Sequence, residues 1–154
     1  IDPDQVFLTI MDADSWAPDL YFDILEEEII KNTKTDIINF QPPQIFTRNY
    51  LDAPILTRTY DLMNSYIQCS NLFSLFDFTF AFSNYTLSFK LIKSVGFWDT
   101  CADAIGEDYH TCLKVYWKTN GDMKTVPIYV PFNQLNLCTG EGYLEDVIAR
   151  FWQA

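Results

Sequence analysis

The sequence is poor in positive charge, and this lack excludes one broad group of functions. Its 154 residues carry 10 Lys and Arg against 21 Asp and Glu, which gives a formal net charge of −11. Nucleic acids and anionic membrane surfaces are bound largely through clustered Lys and Arg. An acidic chain without a basic cluster therefore predicts no nucleic-acid partner.

Long apolar runs and closely spaced cysteines are also absent. No stretch approaches the roughly 18 apolar residues of a transmembrane helix, because Gln68, Asn71 and Asp77 interrupt the most apolar region. The four cysteines lie far apart without a Cys-x-x-Cys, and His110 is the only histidine. This pattern argues against a zinc site or a disulfide framework and favours free thiols in a reducing compartment.

What the chain does contain is enough apolar material for a packed core. Hydrophobic residues make up 49% of it and charged residues 20%, a composition typical of a globular domain. The chain starts at Ile1 rather than at a Met, and it ends inside a helical pattern at Ala154. We therefore expect residues 1–154 to be a single domain excised from a longer protein.

Apolar runs alternate with helical patterns along the chain. Strands are predicted at residues 6–11, 36–40 and 126–130, and helices at 18–31, 53–70, 85–95, 107–119 and about 144–151. The Phe-rich segment 72–82 has no periodicity that decides its structure. Strands that alternate with helices predict an α/β fold with a mainly parallel sheet and flanking helices.

Asp12 and Asp14 are separated by one residue and follow the first predicted strand directly. Ligands of open α/β sheets gather at the carboxyl ends of strands. Two carboxylates in one tight loop suit Mg²⁺ or Mn²⁺ together with substrate phosphates and water. The alternative is a turn in which Asp14 or Ser15 caps the following helix. The local sequence leaves both interpretations open.

Glu107 and Asp108 stand at the start of a predicted helix. Carboxylates in this position complement the helix dipole, which explains them without any catalytic role. The functional alternative is that one of them acts as a general base at the rim of a cleft. His110 lies on the outward face of the same helix, and we interpret it as a solvated or hydrogen-bonded residue. Arg150 and Gln153 alone indicate an ordinary amphipathic helix.

Taken in order, these segments resemble the motifs of the family 2 glycosyltransferases, which include cellulose, chitin, hyaluronan and ceramide-glucosyl synthases. The family pattern is D-x-D after a hydrophobic strand, then [TGS]-E-D, then Q-x-x-R-W on a helix. The matching residues are Asp12-Ala13-Asp14, Gly106-Glu107-Asp108 with Gly in place of the usual Thr, and Gln153. Between them, segments 83–85 and 95–99 are similar to the small-residue turn and the "GGFD"-like loop of the family. The resemblance implies the C-terminal part of a GT-A (Rossmann-like) catalytic domain.

The resemblance also implies a reaction, namely inverting transfer of a sugar from a nucleotide-diphosphate sugar, expected to be a UDP-sugar, to an acceptor hydroxyl. The acceptor would be a glycan or a lipid. Asp14, helped by Asp12, would bind Mg²⁺ or Mn²⁺, which stabilises the charge that the departing diphosphate gains. Asp108 would deprotonate the acceptor hydroxyl, and Glu107 would orient its neighbours. Gln153 would belong to an acceptor-side helix that closes over the donor.

The same resemblance implies a membrane-associated parent protein with this domain on its cytosolic face, and it predicts that the isolated chain has no measurable activity. Two other functions stay open. One is a GT-A-shaped module that binds a partner or a nucleotide sugar without turnover. The other is a haloacid-dehalogenase-like phosphatase, which prefers Thr or Val where this chain has Trp16. The three carboxylates Asp12, Asp14 and Asp108 together favour the transferase.

Overall fold

The computed structural model describes residues 5–74, 77–99 and 106–153, in which six strands and five α-helices alternate. The strands are β1 Phe7–Ile10, β2 Ile38–Gln41, β3 Gln44–Phe46, β4 Tyr85–Ser88, β5 Lys124–Pro127 and β6 Phe132–Gln134. The helices are α1 Leu20–Lys31, α2 Ile55–Leu72, α3 Phe89–Ser94, α4 Glu107–Lys118 and α5 Tyr143–Gln153. A short 3₁₀ helix, Thr35–Ile37, precedes β2. The predicted α/β class is confirmed.

The strands form two sheets. The main sheet has the order β1-β4-β2-β5, and β3 pairs with β6 in a second, two-stranded sheet. β2 and β5 are parallel, as are β3 and β6. β4 runs antiparallel to both of its neighbours, β1 and β2. The main sheet is therefore mixed rather than mainly parallel, because the inserted strand β4 reverses direction.

The largest local difference from the sequence prediction lies in residues 85–95. The pattern predicts one helix, but the first four residues form β4 and only Phe89–Ser94 is helical. All four residues of β4 are buried between two other strands, so aromatic and β-branched side chains at Tyr85 and Thr86 fit a strand. The helix begins after Ser88, whose hydroxyl accepts the Leu91 N–H at 3.2 Å.

Several predicted elements are present with small changes in their bounds. The helices predicted at 18–31, 53–70, 107–119 and 144–151 correspond to α1, α2, α4 and α5. The last strand of the main sheet starts at Lys124 and ends at Pro127, about two residues earlier than the pattern indicates. The three-residue strands β3 and β6 were not predicted, since so short a run carries no periodicity.

Two hydrophobic clusters cover the two faces of the main sheet. Tyr85 and Leu87 of β4 pack in one cluster with residues of α3 and α4. Thr86, between them, points to the opposite face and hydrogen-bonds the hydroxyl of Tyr21, which belongs to the second cluster with Phe40 of β2. Helix α1 thus covers one face of the sheet, and α3 with α4 covers the other.

No helix within the described ranges combines the length and apolar character needed to cross a membrane.

The second cluster provides a test of the fold. The side chain of Phe40 is fully buried in β2, whereas Phe22 on α1 is 51% exposed. Phe40→Ala should lower the free energy of unfolding by about 3–5 kcal/mol, because it removes apolar burial and leaves a cavity. Phe22→Ala, the matched control, should lose far less. Urea unfolding followed by circular dichroism measures both, and equal losses would contradict this packing.

Candidate active site

A cavity of about 760 Å³ lies where both sheets meet α2 and the start of α4. The loop after β1 forms one side of it with Asp12 and Asp14. The turn before β4 contributes Ser83, and α4 contributes Tyr109. The remaining wall comes from the second sheet, from one face of α2 and from Arg150 of α5. The cavity therefore joins segments that are far apart in the sequence.

The loop of Asp12 and Asp14 is held by its backbone. The Asp12 N–H donates to Asn84 Oδ1 at 3.3 Å, and the Asp14 carbonyl accepts from Arg48 Nη1 at 2.7 Å. Both residues are exposed, and neither carboxylate has a hydrogen-bond or ion-pair partner among the described residues. The protein thus fixes the loop while leaving both carboxylates available to a ligand.

The capping alternative for this loop is not observed. Helix α1 begins at Leu20, its N-cap is Asp19, and no side chain accepts a hydrogen bond there. Ser15 instead uses its hydroxyl to accept from Gln134 Nε2 at 3.0 Å, which ties the loop to β6. The position of Asp14 is therefore not explained by the start of the following helix.

Asp108 lies half-buried in the first turn of α4. It is not itself one of the lining residues of the cavity, but its neighbour Tyr109 and its hydrogen-bond partner Ser83 are. Its Oδ2 accepts the N–H of Ser83 at 2.9 Å, and the Tyr85 hydroxyl also hydrogen-bonds its side chain. Burial raises the pKa of Asp108, these two hydrogen bonds oppose the rise, and the charges of Glu107 and Asp12 add to it. A carboxylate with a raised pKa is better suited to accept a proton than an exposed one.

The acidic groups do not form a closed metal cage. Within residues 5–74, 77–99 and 106–153, no three His, Cys, Asp or Glu side chains are placed to hold one ion. Asp12 and Asp14 are a pair, which matches the way Mg²⁺ commonly uses one or two carboxylates and takes its other ligands from phosphates and water. The donor set fits a divalent cation that is shared with a substrate.

The other residues singled out from the sequence have different positions. Glu107 is exposed on α4 and is not part of the cavity wall. His110 is exposed as well, with its Nδ1 3.8 Å from Asp99 Oδ2, consistent with an outward helix residue. Gln153 is the last residue of α5, and Arg150 of the same helix lines the cavity.

An ion pair between Arg150 and Asp61 was missed by the sequence analysis. Arg150 Nη2 contacts Asp61 Oδ1, and Asp61 is only 1% exposed on α2. The Arg150 guanidinium also lies over the ring of Tyr60, 4.7 Å from its centroid. Burial raises the pKa of Asp61, and the positive charge of Arg150 partly offsets that rise. The pair connects α5 to α2 and places a cation in the cavity wall.

The signal that could have found this pair lies in the register of α2. Its buried positions are mostly polar, namely Thr57, Asp61, Ser65, Gln68 and Leu72. The apolar residues at Leu56 and Met63 are more than half exposed instead. Asp61 lies four residues from both Thr57 and Ser65 on this polar face, and an acidic residue in such a position is a candidate for a buried ion pair. The hydrophobic pattern of α2 alone predicts that its apolar face is buried, which is wrong.

Four buried amides of the cavity wall were also missed. Gln44 Nε2 donates to the Phe82 carbonyl at 2.5 Å, and the Asn136 amide contacts Asn49 Oδ1 and the Phe46 carbonyl. Gln134 and Gln68 are buried in the same wall. These amides sit on β3, on α2 and on or just after β6, where no motif marks them.

The mixed α/β fold places a cavity with two carboxylates at the carboxyl end of β1, where ligands of open α/β sheets commonly bind. A family model described as "Glycosyl transferase family group 2" matches residues 7–138, well over half of the chain. The chain therefore belongs to family 2 of the glycosyltransferases, and its general activity is glycosyl transfer. The match includes Asp12, Asp14 and Asp108 and stops before Gln153. No curated protein matches the chain.

The Arg150–Asp61 pair leads to a stability prediction. Arg150→Gln leaves the buried Asp61 carboxylate without its cation, a change that typically costs about 3–5 kcal/mol. Because the folded-state pKa of Asp61 is raised by burial, stability falls as the pH rises through that pKa. The deficit should therefore be larger at neutral than at mildly acidic pH in urea unfolding.

A double variant provides the control for this prediction. Asp61→Asn with Arg150→Gln removes both charges and should recover much of the lost stability. Equal destabilisation of the single and double variants, or a deficit that does not change with pH, would contradict the role of the pair.

Proposed function

We propose that this chain is the C-terminal part of a GT-A catalytic domain in a longer protein, and that it transfers a hexose from a nucleotide-diphosphate sugar to an acceptor hydroxyl with inversion. The donor is proposed to be a UDP-sugar, and the acceptor a glycan or a lipid. One observation carries the proposal: Asp12 and Asp14, whose carboxylates have no partner among the described residues, line the same cavity as Ser83, which binds Asp108.

The role proposed for Asp108 is general base. Inversion requires the acceptor oxygen to attack the sugar carbon from the side opposite the leaving diphosphate. A carboxylate that takes the hydroxyl proton must lie within about 3 Å of it in the reactive complex. Asp108 lies at the side of the cavity formed by Ser83 and Tyr109, while Asp12 and Asp14 come from another loop. Glu107, exposed on the preceding position, is proposed to orient its neighbours.

Asp12 and Asp14 are proposed to hold Mg²⁺ or Mn²⁺ together with the donor diphosphate. When bound, the cation supplies Lewis-acid stabilisation of the negative charge on the departing group. The exposed pair of hard oxygen ligands supports this assignment. The Arg150 guanidinium in the same cavity wall is a further positive group near the anionic donor.

The rest of the cavity wall is suited to a sugar. Aromatic rings at Phe46, Tyr60 and Tyr109 offer faces for the C–H groups of a pyranose, and buried amides such as Gln68 offer hydrogen bonds to hydroxyls. Gln153, at the end of α5, is proposed to belong to the acceptor-side helix. This mixture of rings and amides supports a carbohydrate ligand.

The parent protein is proposed to be membrane-associated, with this domain on its cytosolic face. Helix α5 supports the idea, because four large apolar side chains on it are more than half exposed: Leu144, Ile148, Phe151 and Trp152. The isolated chain is proposed to lack measurable transferase activity, since the nucleotide-binding half of a GT-A domain would precede it. Tests of activity therefore use the complete natural protein that contains this chain.

The metal assignment is tested by binding rather than turnover. Asp14→Asn should weaken Mn²⁺-dependent binding of UDP in the complete protein by about tenfold or more, the effect of losing one charged contact. Asp23→Asn, on the exposed side of α1, removes the same charge and should leave binding unchanged. Isothermal titration calorimetry with and without Mn²⁺ measures this, and unchanged affinity of Asp14→Asn would overturn the assignment.

The base assignment is tested by turnover. Asp108→Asn should lower kcat by about 10²–10⁴-fold, the range of general-base catalysis, with donor binding retained. Because burial raises the pKa of Asp108, the acidic limb of the wild-type activity profile should lie above the range of an exposed Asp. Product analysis with a labelled donor measures the rate. Full turnover by Asp108→Asn, or a larger loss in Glu107→Gln, would contradict the assignment.

A further inference from the structure

The Asp108 carboxylate belongs to a cluster of interacting polar groups that includes Tyr85 and Trp98, to which the sequence motifs assign no role. Trp98 Nε1–H donates to the Tyr85 oxygen at 2.8 Å. Tyr85 packs in one cluster with Cys112, one turn after Asp108 on α4, and its hydroxyl lowers the pKa of the Asp108 carboxyl. Ser83 N–H donates to Asp108 Oδ2 at 2.9 Å. The Ser83 N–H therefore binds this carboxylate directly, and the Tyr85 hydroxyl is a second group that acts on it.

The direction of each hydrogen bond follows from the chemistry of the groups. An indole N–H can only donate, so the Tyr85 oxygen accepts from Trp98. An ionised carboxylate can only accept, so the Tyr85 proton points to Asp108. Burial raises the pKa of the Tyr85 phenol well above its usual range, so this proton stays on Tyr85 at neutral pH. The donation from Trp98 strengthens Tyr85 as a donor.

Tyr85 and Trp98 are held in place by the packing and hydrogen bonds around them. Tyr85 is 1% exposed and packs among the buried side chains between β4, α3 and α4. The segment that carries Trp98 is fastened to α4, since Lys114 Nζ donates to the Phe97 carbonyl at 2.7 Å and to Asp99 Oδ1 at 2.9 Å. Helix α4 thus carries Asp108, and through Lys114 it is also bonded to the segment that contains Trp98.

We propose that Tyr85 is a positioning residue for the base Asp108 and that Trp98 orients the Tyr85 hydroxyl. This inference rests on the role of Asp108 proposed above. A carboxylate that is bound by the Ser83 N–H and has the Tyr85 hydroxyl beside it keeps one orientation toward the acceptor hydroxyl, which is the condition for efficient proton transfer. Tyr85 acts through Asp108.

The groups around Asp108 set the direction of the expected pH effect. Glu107 on the same helix and Asp12 on the loop after β1 disfavour its charge, while Tyr85 and Ser83 favour it through hydrogen bonds. Cys112 of α4 is also within electrostatic reach, and burial raises the pKa of that thiol to about 11, so it is neutral. Removing the Tyr85 hydroxyl takes away one stabilising bond and raises the pKa of Asp108 further.

The experiment compares Tyr85 of β4 with Tyr21 of α1, two buried tyrosines that pack on opposite faces of the main sheet. Tyr85→Phe in the complete protein should lower kcat by about tenfold or more with little change in donor KM. Its acidic limb should move to higher pH. Trp98→Phe should change both in the same direction but less. Tyr21→Phe also removes a buried hydroxyl, one bonded to Thr86 at 3.2 Å, and should leave the profile unchanged.

A second measurement separates this inference from the proposed function. In a carbon-13 NMR titration, the pKa of the Asp108 carboxyl should be higher in the Tyr85→Phe variant than in the Tyr21→Phe variant. Equal pKa values and superimposable activity profiles for these two variants would overturn the positioning role while leaving the base assignment intact. Full turnover by Asp108→Asn despite the NMR shift would instead overturn the base assignment, and with it the catalytic meaning of the Tyr85 contact.

Discussion

Ser83, Asn84 and Tyr85, just before and at the start of β4, contact two acidic segments. One is the loop of Asp12, and the other is the first turn of α4 with Asp108. Ser83 binds the Asp108 carboxylate through its N–H, Asn84 accepts the Asp12 N–H, and Tyr85 binds Asp108 from the side chain. This segment is fixed because β4 is hydrogen-bonded to strands on both sides and buried on both faces. The insertion of one short strand therefore sets the relative placement of groups that are about a hundred residues apart in the sequence.

The placement of these groups has an electrostatic consequence. Asp108 is half-buried near other acids, which disfavours its charge, and hydrogen bonds from neutral donors offset the effect without bringing a cation beside it. Arg150, the cation among the described residues that line the cavity, is instead bound by Asp61 of α2. A carboxylate whose charge is not stabilised by a nearby cation keeps a higher pKa and accepts a proton more readily. Asp108 and Asp61 are the same residue type, so the difference between their surroundings comes from the fold.

The sequence predicted the fold class, four of the five helices and the family, because long amphipathic patterns and the order of short motifs are local signals. It did not predict β4, since its four residues continue into a helix and share one apolar pattern with it. The Arg150–Asp61 pair was missed because the apolar side chains of α2 face outward and its buried face is polar. Tyr85 and Trp98 were quoted only as parts of a turn and a loop, since their contact depends on tertiary packing.

Gly106 precedes the acidic pair of α4, at the position where the family usually has Thr. Its backbone lies in the left-handed region, with φ of 76° and ψ of 45°, which a β-branched residue adopts only with strain. Glycine is one of the residues that the [TGS]-E-D motif allows here, and the left-handed backbone of this chain suits it. A threonine here would strain the backbone at the start of α4, two residues before Asp108.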